Sequence, residues 1–183
     1  DTESAQFVEC LQKEAGQIFY CATSYISFLL AEPADFLSDV IYDADMADVA
    51  SVQVHIDGET DLNMELDSEN KQYTVNEIDV DALGTDAVDA LTTLYDNLTG
   101  LTTSTLDLTD NVPTEEEPEI TLTYNLKDGT TEVITFLAKD KESYYVLRNG
   151  EYSGFLAKRT AFTSRNGILE FYHRLEKTIG MTE

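Results

Sequence analysis

The stretch Ile120–Leu137, ITLTYNLKDGTTEVITFL, decides the reading of the fold. Ile120, Leu122, Tyr124 and Leu126 alternate with polar residues, as a strand with one buried face requires, because successive side chains leave opposite sides of the backbone. Asp128-Gly129 then reads as a two-residue type I′ turn. Counting back from that turn predicts Leu126 opposite Thr131, Tyr124 opposite Val133, Leu122 opposite Thr135 and Ile120 opposite Leu137. One face is then apolar on both strands, whereas a slip of one residue would bring Lys127 and Glu132 to it.

The hairpin has an echo upstream. Shifted by 71 positions, Asp57, Gly58, Thr60, Leu62, Leu66, Tyr73 and Val75 fall on Asp128, Gly129, Thr131, Val133, Leu137, Tyr144 and Val146. At a shift of 77, Leu91, Leu94, Tyr95 and Leu98 fall on Ile168, Phe171, Tyr172 and Leu175. This self-similarity predicts an α+β chain of tandem units, each made of antiparallel hairpins followed by one helix packed on the sheet. The expected divisions are a partial unit over 1–49, a first full unit over 50–111 and a second over 112–183.

Within the first full unit, Val52, Val54 and Ile56 form a strand. A three-residue loop, Asp57–Glu59, follows, because only then do Val54 and Leu62 share a face. The chain turns again at Ser68-Glu69-Asn70 into a strand with Tyr73 and Val75. Thr85 is expected to cap a helix whose apolar stripe is Val88, Leu91, Leu94, Tyr95 and Leu98, with Gly100 ending it. Leu101–Leu108 reads as a short strand with Leu106 and Leu108 inward, and Asn111–Pro118, NVPTEEEP, as the linker. In the second unit, strands Tyr144–Leu147 and Tyr152–Leu156 meet across Asn149-Gly150, another type I′ signal. A last helix runs from Thr163 to Ile179, closed by Gly180.

Cys10 and Cys21 sit in FVECLQKEAGQIFYC, which also reads as a hairpin. A two-residue turn at Ala15-Gly16 places them directly opposite each other; a four-residue loop, Lys13–Gly16, pairs Cys10 with Phe19 instead. A disulfide and a pair of buried thiols are both compatible with this spacing. From Thr23 a helix is expected, with Tyr25, Ile26, Phe28, Leu29 and Leu30 inward, stopped by Pro33 ahead of Phe36 and Leu37.

The formal charge is −25, from 36 acidic and 11 basic residues, and nine of the bases lie beyond position 111. So negative a field repels phosphate backbones and anionic lipid, which excludes nucleic acid as a general partner. Asp43, Asp45 and Asp48 cluster without the Gly and terminal Glu of an EF-hand loop. No apolar run is long enough to span a bilayer. The start at Asp1 is read as a mature product or one whose export segment has been removed, which leads to an extracytoplasmic expectation.

Catalytic material is thin. His55 alternates with Val54 and Ile56 and so faces away from the core; His173 lies one step off its helix stripe. Neither forms a catalytic, metal or cofactor spacing, so no cofactor is expected. Aromatics meet positive charge at Tyr144, Tyr145 and Tyr152 beside Lys158 and Arg159. With Arg165 and Arg174 these form the candidate partner face, suited to a protein partner or, through the tyrosines, to a peptide or glycan.

Three stretches, SDVIYDADMADVASVQVHIDGE (38–59), PEITLTYNLKDGTTEVITF (118–136) and SYYVLRNGEYSGFLAKRTAF (143–162), resemble the bacterial domain-of-unknown-function family 4340. The resemblance covers most of the chain from Ser38 onward. It implies DG-turn strands, a Tyr-Tyr-Val strand and a terminal helix in tandem, on extracytoplasmic proteins tethered by an N-terminal membrane segment and in some cases encoded near ABC-type transporters. It carries over no catalytic residue. The expectation is therefore a non-catalytic interaction module of the cell envelope, with a tyrosine-based peptide or carbohydrate binder, and more distantly a hydrolase, as alternatives.

Overall fold

The computed structural model describes the backbone of residues 7–12 and 17–22 and the whole of residues 39–109 and 112–181. The chain divides into two compact units, residues 1–38 and residues 39–183. In the first, β1 (Phe7–Gln12) and β2 (Gln17–Ala22) form an antiparallel ladder with Cys10 opposite Phe19 and Val8 opposite Cys21. Of the two registers open to the cysteines, the direct opposition is not the one formed: the ladder pairs Cys10 with Phe19, and the two cysteines lie two ladder positions apart. The Ala15-Gly16 turn and the helix expected from Thr23 lie outside the described residues.

The second unit runs through β3 (Val49–Ile56), β4 (Thr60–Asp67), β5 (Gln72–Val75), β6 (Ile78–Asp79), α1 (Thr85–Thr99), β7 (Thr105–Leu106), β8 (Ile120–Leu126), β9 (Thr131–Ala138), β10 (Ser143–Arg148), β11 (Glu151–Lys158), α2 (Thr160–Thr163) and α3 (Ile168–Ile179). The α+β class stands. Separate tandem units do not, because all nine strands join one antiparallel sheet in the order β6-β5-β4-β3-β8-β9-β10-β11-β7. Two meanders run outward from a central β3–β8 pair, in which Val52 faces Tyr124, Val54 faces Leu122 and Ile56 faces Ile120. A single sheet lets both helices lie on one face and share one core, which two small sheets could not offer either helix.

That inner face carries Val52, Val54, Leu62, Met64 and Val75 from the first wing and Ile120, Leu122, Tyr124, Ile134, Phe136 and Val146 from the second. Leu91, Leu94, Leu98, Ile168, Tyr172 and Leu175 of the helices bury against them. α1 and α3 also pack on each other. The Asp39–Asp48 segment closes one end: Tyr95 donates its hydroxyl to Ala44 O at 2.9 Å, and Tyr42 lies 4.7 Å from the Tyr124 ring.

The opening hairpin keeps its strands but not its register. Ile120 pairs with Phe136, Leu122 with Ile134 and Tyr124 with Glu132, one residue from the expected pairing. Leu126 N donates to Thr130 O, so Lys127-Asp128-Gly129 is a three-residue loop; Gly129, at φ 90°, takes its left-handed position. Glu132 is tolerated on this strand because Arg148 Nε and Asn149 Nδ2 donate to its carboxylate at 2.8 and 2.9 Å. The shift of 71 inherits the slip: it equates Leu66, an inner-face residue, with Leu137, which is buried outside the inner cluster. The Asp57–Glu59 loop is as expected, with Ile56 opposite Thr60 and Val54 opposite Leu62. So is the type I′ turn, where Asn149 and Gly150 both have positive φ, 52° and 84°.

The helix ends differ in detail. Gly84, not Thr85, is the N-cap of α1, its carbonyl accepting from Ala87 N and Val88 N; Gly100 ends that helix, its N–H donating to Asp96 O. The last helix is broken into α2 and α3 by Ser164–Gly167. A Cβ on Gly167 would lie 2.6 Å from Phe162 O, so the chain folds back on α2 too closely for a side chain. Gly180 caps α3 in the left-handed region, φ 74°. The strand expected over Leu101–Leu108 shrinks to Thr105–Leu106, and Leu108 points out, 75% exposed.

Candidate functional site

Adjacent residues on a strand face opposite ways, and this separates the expected aromatic cluster into two. Tyr144 lies on the inner face, 3% exposed, with its ring edge-on to Phe136 and Phe162. Burial pushes its hydroxyl up to about 12. Tyr145 and Tyr152 lie on the outer face, ring centroids 5.6 Å apart at 88°. Tyr152 donates to Asp107 O at 2.8 Å, and burial pushes its hydroxyl up to about 12 as well. Lys139 pairs with the Asp107 carboxylate and sits 5.3 Å from the Tyr145 ring centre.

The basic residues divide in the same way. Arg159 turns inward and is fully engaged. Its Nη1 and Nη2 donate to the two Glu119 oxygens at 2.6 and 3.0 Å, its Nε to Asp140 O at 2.7 Å, and its guanidinium lies 4.3 Å from the Tyr144 ring centre. The bidentate pair holds the Glu119 carboxyl below the usual carboxylate range. Arg174 pairs with Glu170 one turn back on α3 and lies over Phe171 at 5.4 Å. Arg165 is exposed in the α2–α3 loop. Lys158, last residue of β11, is exposed.

Lys158 opens into a groove of 680 Å³ lined by Ser104, Thr105, Lys141, Glu142, Ser143, Thr160 and Thr163, with Arg159 in its wall. A smaller recess of 340 Å³ continues from it past Thr102, Thr103 and Ala161, sharing Ser104, Lys158 and Thr160. Lys141 and Lys158 have no ion pair among the described residues. The hydroxyls of Ser104 and Thr163 donate inward, to Leu156 O and Arg159 O, and so present lone pairs to the groove. Lys141 and the Thr102–Thr105 wall were missed in the sequence: the Asn149-Gly150 hairpin brings the start of β10, and Lys141 with it, beside Lys158, whereas only the long-range β7–β11 pairing brings residues 102–105 there.

A second groove, of 340 Å³, lies on the outer face of the central strands between Gln53, His55, Asp61, Asn63, Asn76, Thr121 and Thr123. His55 Nδ1 is 2.5 Å from Asp61 Oδ1, both exposed; His173 Nδ1 is 2.9 Å from Glu176 Oε2 on α3. Asp45 and Asp48 are tied into a turn, Asp45 accepting from Ala47 N and Asp48 N. No group of three potential metal ligands converges among the described residues, and no helix among them is long and apolar enough to cross a membrane. No protein-family model, curated protein or solved structure matches the chain.

Proposed function

We propose that the chain is a non-catalytic, extracytoplasmic interaction module that presents the Lys141–Lys158 groove to a protein partner in the cell envelope, as an accessory part of an envelope or ABC-transporter-associated complex. One observation carries this reading. In a molecule with three acids for every base, two lysines without ion pairs among the described residues open into one concave surface. A positive concavity in a negative field steers an acidic partner to one place and orients it there. The resemblance of residues 38–59, 118–136 and 143–162 to an envelope-tethered family supplies the setting.

The reading moves the partner face from the Lys158–Arg159 pair to Lys158 and Lys141, since Arg159 is spent on Glu119. Pull-down from native envelopes tests it. Wild type is expected to recover a partner that Lys141→Glu with Lys158→Glu loses, with recovery falling as salt rises. Equal recovery by both proteins would reject this face.

A further inference from the structure

We infer that the groove takes an acidic peptide segment in extended conformation, added as a short strand beside the end of β11. The inference rests on the proposed interaction role and specifies its ligand.

The backbone argument comes first. Along an antiparallel strand, residues alternate between pointing their N–H and C=O at one neighbour and at the other. Arg159 N donates to Glu142 O on the β10 side, whereas Leu156 O accepts from Ser104 N and Gly154 O from Asp107 N on the β7 side. Lys158 is in phase with Leu156 and Gly154, so its N–H and C=O point toward the β7 side as well. β7 ends its pairing at Thr105 opposite Leu156. Among the described residues, no backbone hydrogen bond reaches Lys158 from that side. At the groove the Lys158 N–H and C=O are therefore a one-residue open extension of the sheet edge, donor and acceptor together, which one residue of an extended backbone satisfies and a compact anion does not.

Charge selects what the extended segment carries. Lys158 stands over the open edge and Lys141 across the groove, so acidic side chains on alternate residues of the segment meet an ammonium group. Glu142, in the same wall, repels a ligand of uniformly high charge density. Two lysines set against a net charge of −25 do not hold a duplex or an anionic membrane plane, whose charge extends far beyond the groove. They do suffice for a short segment with two or three carboxylates. The hydroxyls of Thr105, Ser143 and Thr160 line the path, polar enough for a wet rim.

The test is fluorescence anisotropy on the whole chain, with a labelled peptide alternating Glu with Val as probe. Binding is expected for wild type, with at least a ~10-fold loss for Lys158→Glu and for Lys141→Glu and no change for Lys177→Glu, which lies on α3 away from the groove. A peptide of the same sequence, N-methylated at alternate amides, is expected to lose binding through its backbone alone. Three results would overturn the inference: equal binding by Lys158→Glu, equal binding of the N-methylated peptide, or full competition by inorganic phosphate, which would make the groove a simple anion site. Failure here is separable from failure of the interaction role. If the envelope pull-down still depends on Lys141 and Lys158 while the peptide does not bind, the role stands and the extended acidic ligand falls.

Discussion

The wing from β3 to β6 and the wing from β8 to β11 bury the same face of the sheet, yet only the second also buries apolar residues on its outer face, along β9 to β11. On the first, the outer face shows Gln53, His55, Asp61 and Glu65, all exposed. On the second, Leu137, Leu147 and Leu156 are buried outside the inner cluster, beside their cross-strand partners Tyr145 and Tyr152. The second wing also holds the cross-links, Arg159–Glu119, Arg148–Glu132 and Lys139–Asp107. The first has only the exposed His55–Asp61 pair among the described residues. The first wing has a single Lys or Arg, Lys71, whereas the second uses its bases to tie its rim, and the groove with the unpaired Lys141 and Lys158 lies at that rim.

The comparison breaks most clearly on an outer-face truncation. Leu147→Ala removes a buried side chain, 3% exposed, and is expected to cost about 2–4 kcal/mol in urea unfolding. Gln53→Ala, on the outer face of the first wing, is expected to stay within ~0.5 kcal/mol. Similar losses for the two would mean that the second wing's outer face is no core.

This double burial also explains which parts were readable in the sequence. On β3 and β4 one face is wet, alternation is clean, and both the register and the Asp57–Glu59 loop follow from it. On β9, TEVITFLA, Ile134 and Phe136 enter one core while Leu137 enters the other. Both faces are then apolar, alternation no longer separates the two registers, and the DG signal, which fits a two-residue or a three-residue loop, was free to mislead by one. For the site, the split of Tyr144 from Tyr145 and of Lys158 from Arg159 was available in principle, because neighbours on a strand must diverge. So was Lys141, which the Asn149-Gly150 hairpin brings beside Lys158; the Thr102–Thr105 wall was not, since the long-range β7–β11 pairing places it.

The helices give a second contrast. α1 is continuous over 15 residues, whereas the second wing's helix folds back at Gly167. Gly167→Ala is expected to cost about 1–3 kcal/mol, because the new Cβ meets backbone that has little room to move. Thermal melting at wild-type Tm would show that the break is not a tight fold-back.

Next in size is the Arg159–Glu119 clamp. In a double-mutant cycle with Arg159→Met and Glu119→Gln, the bidentate, half-buried pair is expected to couple by about 1 kcal/mol. The exposed Arg174–Glu170 pair on α3 should couple by only ~0.3–0.5 kcal/mol. Equal coupling would deny the rim any special status.

The smallest effect is on acidification. Glu119 and Glu132 are held below the usual carboxylate range, first by the hydrogen bonds from Arg159 and Arg148. Asp67, in the first wing, is lowered as well, first by the Asn70 side chain, a neutral donor at an exposed turn. A carboxyl whose folded pKa is depressed adds stability that is complete above its unfolded value, about 4.3 for Glu, and is lost as pH falls through the folded value. Stability should therefore decline below about pH 5, with each partly exposed pair contributing under ~1 kcal/mol after solvent screening. Tm measured from pH 6 to pH 3 is expected to fall less steeply in Glu119→Gln with Glu132→Gln than in wild type, because the protons those sites take up are no longer linked to unfolding. Asp67→Asn should flatten the slope less, since its partner carries no charge. A larger flattening from Asp67→Asn would place the acid-labile ties in the first wing and reverse the comparison.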